Sequence, residues 1–420
     1  MRASISKSEI SGKGIAPSSK SYTIRGLIGA ALAKGESEIL HPLSSDDTKA
    51  SLDVLGKVGI NIHQKEASWG ITGGNFHVSN TDLFCRDSAA TLRFMTAVCS
   101  LITGECRLTA GPSLSQRPIQ PLLQALGQLG VTCYQDEKML VVVKGGKLKG
   151  GVIELPGDIS SQFLSALLFI SPCADKSIEI RLITPLESKP FVLMTLECLK
   201  TFGIRVNFSK DLREFITPQQ AYQPTKYRVE GDWSSASYLL ASGALFGEVE
   251  VENLNTESLQ GDKVIMGFLK DMGASVTISN NSVTVRKSRL KAIRANLSDC
   301  IDLLPTMAVL AAAADGVSEF TGIERARMKE SDRASASREG LERMGIKAIE
   351  ERNRLVITGS PPKGAVIDSK GDHRIAMAFS LLGLSCGRTI IDDAECVSKT
   401  YPEFWDTLKS IGGEVKLDGK

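Results

Sequence analysis

At 420 residues, with 42% hydrophobic and 23% charged residues, the chain has the composition of a globular protein of two or three domains, which excludes disordered, collagenous and coiled-coil classes. Fifty Lys and Arg against 48 Asp and Glu leave a net charge of +2, which argues against a dedicated nucleic-acid or membrane-surface binder.

The N-terminal MRASISKSEISGKG has no apolar leader core, and no apolar run approaches the about 18 residues needed to span a bilayer, so the sequence reads as cytoplasmic. From Ser18 onward two kinds of helix alternate. One kind opens on a polar cluster and runs on in small and apolar residues. In chain order these are SSKSYTIRGLIGAALAKG, RDSAATLRFMTAVCSLITG, GDISSQFLSALLFISP, GDWSSASYLLASGALFG, SDCIDLLPTMAVLAAAADG and GDHRIAMAFSLLGLSCG. Ser, Asp and Thr at their openings are good N-caps, and the scarcity of charge predicts buried helices.

The other kind is amphipathic and ends in Leu-x-x-x-Gly, with leucines 55, 126, 199, 269, 341 and 408 and glycines 59, 130, 203, 273, 345 and 412. A glycine there supplies the left-handed residue that closes a helix. The segments that follow, GINI, GVTCY, GIRVNF, GASVTI, GIKAI and GGEVKL, read as strands. The chain is thus a unit of about seventy residues repeated six times, too long a period for an ordinary solenoid. The openings of the buried helices carry unpaired N–H groups and a positive dipole end, which suit anionic ligands.

Nine cysteines form no CxxC pair and are odd in number, so they read as small apolar residues rather than a disulfide framework. The four histidines have no metal-ligand spacing, and no P-loop or dinucleotide fingerprint is present; no metal or cofactor is expected. Cations instead recur at the helix openings and in the loops before the outer helices: Lys20, Arg25, Arg93, Arg117, Lys329, Arg333, Arg374 and Lys399. Any one alone reads as a solvated surface charge. Their recurrence where the helix dipole disfavours a cation points to anions or carboxylates nearby. Asp46, Asp47, Asp332 and Asp372 read as N-caps or ion-pair partners. Asp302, between Ile301 and Leu303, is placed for desolvation and proton transfer, and Glu330 lies directly beside Lys329.

The segments PSSKSYTIR, SSDD, SQRPIQPL, GDISSQFLSALL, ESKPF, EGDWSSASYLL, CIDLLPTMAVLAA, RMKESDR, GDHRIAMAFSLL and CVSKTYP, in this order from residue 17 to 402, resemble those of the enolpyruvyl transferases, in particular the branch acting on shikimate 3-phosphate. The resemblance implies an α/β fold, a two-domain inverse α/β barrel of six βαβαββ repeats with buried helices facing an interdomain cleft. The expected domains are 13–229 and, discontinuously, 1–12 with 230–420. It also implies transfer of the enolpyruvyl group of phosphoenolpyruvate to the 5-hydroxyl of shikimate 3-phosphate, by a monomer with no nucleic-acid or membrane partner.

Carried over by position, Lys20, Ala89, Arg117, Gln162, Arg333, Arg374 and Lys399 line the phosphoenolpyruvate site. Lys20, Ser21, Arg25, Ser160, Ser161, Gln162, Ser188, Asp302 and Lys329 line the shikimate 3-phosphate site. Asp302 takes the hydroxyl proton, and Glu330 or Lys20 protonates C3. The chain departs from the family pattern at Arg86, Asp87, Ala89 and Ala90, where a Gly-Asn-x-Gly-Thr run is usual. The Ala89 methyl implies weak inhibition by glyphosate, and the Asp87 carboxylate would repel a substrate carboxylate. Phe191 replaces a frequent Tyr, and Arg325 stands where some members have Asn. The alternatives are the sister transferase acting on UDP-N-acetylglucosamine, disfavoured by Pro112 where that enzyme carries Cys, and a non-catalytic phosphate-binding or RNA-end-processing relative.

Overall fold

The structure, a computed structural model, describes residues 1–78, 82–136 and 140–419. The chain forms two compact units: a first, Ser18–Val229, and a second, Met1–Pro17 with Glu230–Lys420. The first crossing therefore falls after Pro17 and not at residue 13. The cause is strand Ser11–Ile15, which pairs in parallel with Glu248–Glu252 of the second unit, while the Ala16 amide donates to the Glu252 carbonyl at 3.0 Å.

The first unit contains α1 (Lys20–Leu32), α2 (Asp46–Lys57), α3 (Ala89–Val98), α4 (Pro112–Ser115), α5 (Gln120–Gln128), α6 (Ser161–Ile170) and α7 (Lys189–Thr201). The second contains α8 (Trp233–Phe246), α9 (Ile265–Asp271), α10 (Leu304–Ala312), α11 (Arg333–Arg343), α12 (His373–Cys386) and α13 (Phe404–Ser410). Among the described residues each unit has three four-stranded sheets, and every sheet has one parallel and two antiparallel pairings.

The repeat is strand, inner helix, strand, outer helix, strand, strand, as in Asp82–Phe84, α3, Gly104–Thr109, α5, Thr132–Gln135 and Val141–Gly145. Three repeats borrow a strand from far along the chain. Lys226–Arg228 completes the sheet of Gly35–Leu40, Ser11–Ile15 that of Glu248–Glu252, and Arg2–Ile5 that of Thr389–Asp392. The strand after each glycine is always the sheet edge; in GIRVNF only Asn207–Phe208 pairs.

The polar openings work as caps. Ser19, Ser88, Ser160, Asp232 and Asp372 accept hydrogen bonds from the first-turn amides of α1, α3, α6, α8 and α12. The sixth inner helix, α10, differs: a 3₁₀ turn, Ile301–Leu303, leads into it, and no side chain caps it. The outer helices end alike. In all six the amide after the glycine bonds the carbonyl of the leucine four residues before that glycine, at 2.8–3.1 Å, and the glycines have φ between 79° and 105°. All six leucines are fully buried. Inner helices α8, α10 and α12 pack on one another in the second unit, as α3 does on α1 and α6 in the first, so the apolar cores lie between inner helices and sheets while the capped openings stay at the edge.

Candidate active site

In the first unit Lys20 opens α1 and pairs with Asp47 of α2 at 2.8 Å, both largely shielded from water. One turn on, past Ser21, Arg25 donates from Nε to Thr195 Oγ1 (2.9 Å), from Nη1 to the Ser21 carbonyl (3.0 Å) and from Nη2 to the Phe191 carbonyl (2.9 Å). The rings of Phe94 and Phe191 flank its guanidinium at 5.6 and 5.9 Å, so Phe191 packs on Arg25. These acceptors are neutral, and burial pushes the Arg25 guanidinium down from its usual range. A buried cation among neutral acceptors favours an incoming anion.

Arg93 of α3 gathers the opening of α6. Its Nη1 donates to Ser160 Oγ (3.1 Å) and Gln162 Oε1 (2.7 Å), its Nη2 donates to the Pro118 carbonyl (3.1 Å), and its guanidinium lies 4.9 Å from the Phe163 ring centre. Ser160, Ser161 and Gln162 are thus fixed beside the loop that carries Arg117. Asp87 holds the other end of that loop: it accepts from the Leu114 amide at 3.1 Å, and its carboxylate leaves no room for a β-carbon on Gly111. The carboxylate is therefore engaged by the loop. Ala89 is the first residue of α3, after the cap Ser88. Ser188, buried, enters α7 with a left-handed φ of 53°, a costly conformation for a residue with a β-carbon.

The second unit brings six of the expected residues together. Asp302 Oδ1 lies 2.6 Å from Arg333 Nη1 and 3.2 Å from Lys329 Nζ, and its Oδ2 lies 3.5 Å from Arg374 Nη2. Glu330 contacts Arg333 at 2.5 Å and Lys399 at 3.7 Å. Asp372 takes the remaining edge of Arg333 while capping α12. The uncapped 3₁₀ entrance to α10 makes this possible, because Asp302 is not used on its own helix. Arg325, buried, braces the approach by donating to the Ser298 carbonyl at 2.6 Å.

Burial pushes the Asp302 carboxyl up, but Lys329, Arg374 and Arg333 more than offset it and hold the group well below the usual carboxylate range. Burial lowers Lys329. Burial alone would lower Arg374, but Asp302, Tyr238, Asp262 and Asp232 together outweigh it and raise the group well above its usual value. The cluster is a carboxylate wrapped in cations, with a second carboxylate beside it, an arrangement chemically able to bind anions and to exchange a proton. Among the described residues no group of His, Cys, Asp and Glu has metal-binding geometry, all nine cysteines are free, and no helix is long and apolar enough to cross a membrane.

Known proteins place this cluster in context. The family "EPSP synthase (3-phosphoshikimate 1-carboxyvinyltransferase)" matches residues 5–408. The chain belongs to the EPSP synthase family. It is 50% identical over all 420 residues to the 3-phosphoshikimate 1-carboxyvinyltransferase of Dehalococcoides mccartyi, covering 100% of both chains, and 42% identical to that of Methanosarcina mazei, covering 99% of each. Its fold matches EPSP synthase from Acinetobacter baumannii with a TM-score of 0.83 at 26% identity, over 99% of this chain and 100% of that one. The enolpyruvyl transferase NikO from Streptomyces tendae shares the fold, with a TM-score of 0.82 at 17% identity over 99% of this chain and 98% of that one.

Arg93 and Asp372 stand out in the sequence, but nothing there gives them a part in the site. Their position at helix openings was the available signal; their reach across to Gln162 and Arg333 was not. Asp262 and Tyr238, both buried and both acting electrostatically on Arg374, were missed, since Asp262 stands beside Lys263 outside any inner-helix opening and Tyr238 lies within the small and apolar run of α8.

Proposed function

We propose that the chain transfers the enolpyruvyl group of phosphoenolpyruvate to the 5-hydroxyl of shikimate 3-phosphate, releasing phosphate, on the route to chorismate and the aromatic amino acids. The observation that carries this reading is Asp302 seated among Lys329, Arg333 and Arg374, in a chain that matches enzymes named for this reaction over its full length.

Shikimate 3-phosphate is taken by Ser21, Arg25, Ser160, Ser161, Gln162, Ser188 and Lys329, with Lys20 close by and Asp302 at the reacting hydroxyl. Phosphoenolpyruvate is taken by Lys20, Arg117, Gln162, Arg333, Arg374 and Lys399, with Ala89 lining its site. Guanidinium groups suit its planar carboxylate and its phosphate. The arriving anions neutralise the cations that hold Asp302 low. Its basicity then rises toward the ordinary carboxylate range, and it accepts the 5-hydroxyl proton as that oxygen attacks C2. Glu330, with Lys20 as the alternative donor, protonates C3. The tetrahedral adduct then loses a C3 proton and phosphate, leaving the enol ether.

Phosphate release tests the reading. Release from phosphoenolpyruvate that depends on shikimate 3-phosphate supports it; release with UDP-N-acetylglucosamine instead overturns it. We further propose that the protein acts as a cytoplasmic monomer that glyphosate inhibits weakly, on the grounds of its free cysteines and the Ala89 methyl at the opening of α3.

A further inference from the structure

Thr195 sits in the middle of α7, fully buried, with neither the charge nor the helix-opening position that marks most of the expected site residues. Its hydroxyl nevertheless joins three helices. Thr195 Oγ1 accepts from Arg25 Nε of α1 at 2.9 Å, lies 2.8 Å from Ser165 Oγ of α6, and lies 3.0 Å from the Phe191 carbonyl one turn back on α7. Ser165 is as deeply buried, so the junction is shielded from solvent. A hydroxyl has one proton to give, to Ser165 or to the Phe191 carbonyl, and a guanidinium can only donate. In either arrangement Oγ1 is the acceptor for Nε.

The five N–H groups of Arg25 show what this contact fixes. One goes to Thr195, one on Nη1 to the Ser21 carbonyl at 3.0 Å, and one on Nη2 to the Phe191 carbonyl at 2.9 Å. The second N–H of each Nη is left for a ligand, and the rings of Phe94 and Phe191 flank the group. Two carbonyls and a hydroxyl, all neutral, thus hold a full positive charge without neutralising it. Thr195 is the one side chain among the three acceptors.

Resting on the reading of Arg25 as a ligand of shikimate 3-phosphate, we propose that Thr195, backed by Ser165, is a positioning residue for that substrate: it fixes the guanidinium so that its two remaining N–H groups meet the anion in one orientation. Without the hydroxyl the buried Nε–H has no acceptor. A buried donor left unpaired is costly, so the guanidinium turns to recover a partner, and the donors meant for the substrate turn with it.

A pair of variants tests this. Thr195→Val keeps the branched shape and removes the hydroxyl; Thr195→Ser keeps the hydroxyl and removes a buried methyl. Thr195→Val should raise KM for shikimate 3-phosphate roughly tenfold, as for one hydrogen bond to a charged group, with KM for phosphoenolpyruvate within about twofold and kcat moving less. Thr195→Ser should keep the wild-type KM while losing Tm. KM that follows Tm across the two variants, or a wild-type KM in Thr195→Val, would overturn the proposal. If Thr195→Val does not fold, Ser165→Ala decides: the Thr195 hydroxyl loses its support on α6, and KM for shikimate 3-phosphate should rise roughly threefold, as for a neutral hydrogen bond. An unchanged KM would overturn the proposal.

Solvent exchange of the Arg25 Nε proton, followed by ¹⁵N NMR, reads the same contact without substrate. It should be slow in wild type and in Thr195→Ser, and roughly tenfold faster in Thr195→Val. Equal rates would overturn the proposal. A wild type that releases no phosphate from phosphoenolpyruvate and shikimate 3-phosphate fails the functional reading instead, and the exchange measurement still decides whether Thr195 holds Arg25.

Discussion

Arg333 and Asp372 form a two-point ion pair shut off from water, with Nε 2.8 Å from Oδ2, Nη2 3.3 Å from Oδ1, and side chains 1% and 0% exposed. The rest of the same guanidinium reaches Asp302 and Glu330. One anchored cation thus fixes both carboxylates assigned to proton transfer. Asp372→Ala leaves that cation short of a buried partner and uncaps α12, so it should cost about 3–5 kcal/mol of stability. Urea unfolding measures this, and a loss below about 1 kcal/mol would mean the pair is not structural.

Asp302→Asn should lower kcat by roughly 10²–10⁴ while phosphoenolpyruvate affinity stays within a few-fold, because the cations remain and only the base is lost. Titration gives an independent check. The folded carboxyl is depressed, so its contribution to stability is present above the unfolded value of about 4 and is lost as pH falls through the lower folded value. Wild type should therefore lose stability in acid more steeply than Asp302→Asn. Identical acid limbs would contradict the depressed carboxyl.

Arg93→Lys keeps the charge but cannot reach Ser160, Gln162 and the Pro118 carbonyl together. KM for shikimate 3-phosphate should rise roughly tenfold or more, the value of one charge-assisted hydrogen bond. Steady-state kinetics at saturating phosphoenolpyruvate show this. An unchanged KM would mean that Ser160 and Gln162 need no such support.

Ala89→Gly removes the methyl at the opening of α3. Glyphosate, longer than phosphoenolpyruvate, should then inhibit more strongly, with KM for phosphoenolpyruvate changed less than the inhibition constant. Inhibition titrations of the two proteins give the answer, and equal inhibition would remove Ala89 from the account.

The sequence carried the repeat because its markers are local. A leucine and a left-handed glycine closing each outer helix need no tertiary information, and neither do Ser or Asp at the inner openings. The exchanged strands were less legible: Ser11–Ile15 has no apolar alternation to mark its partner, so the first crossing was set a few residues early. Lys329, Glu330 and Arg333 stood out through their spacing in KESDR. The reach of Arg93 to Ser160 and Gln162 did not, because it comes wholly from the packing of α3 against the opening of α6, which no local pattern encodes.

The central claim is proton transfer at C3 coupled to attack by a hydroxyl that Asp302 deprotonates. It is tested most directly by running the reaction of phosphoenolpyruvate with shikimate 3-phosphate in D₂O and weighing the product. Wild type should release phosphate and yield an enol ether carrying deuterium in its vinyl group, while Asp302→Asn yields almost none. A wild-type product free of deuterium would mean that C3 is never protonated, and would contradict the account.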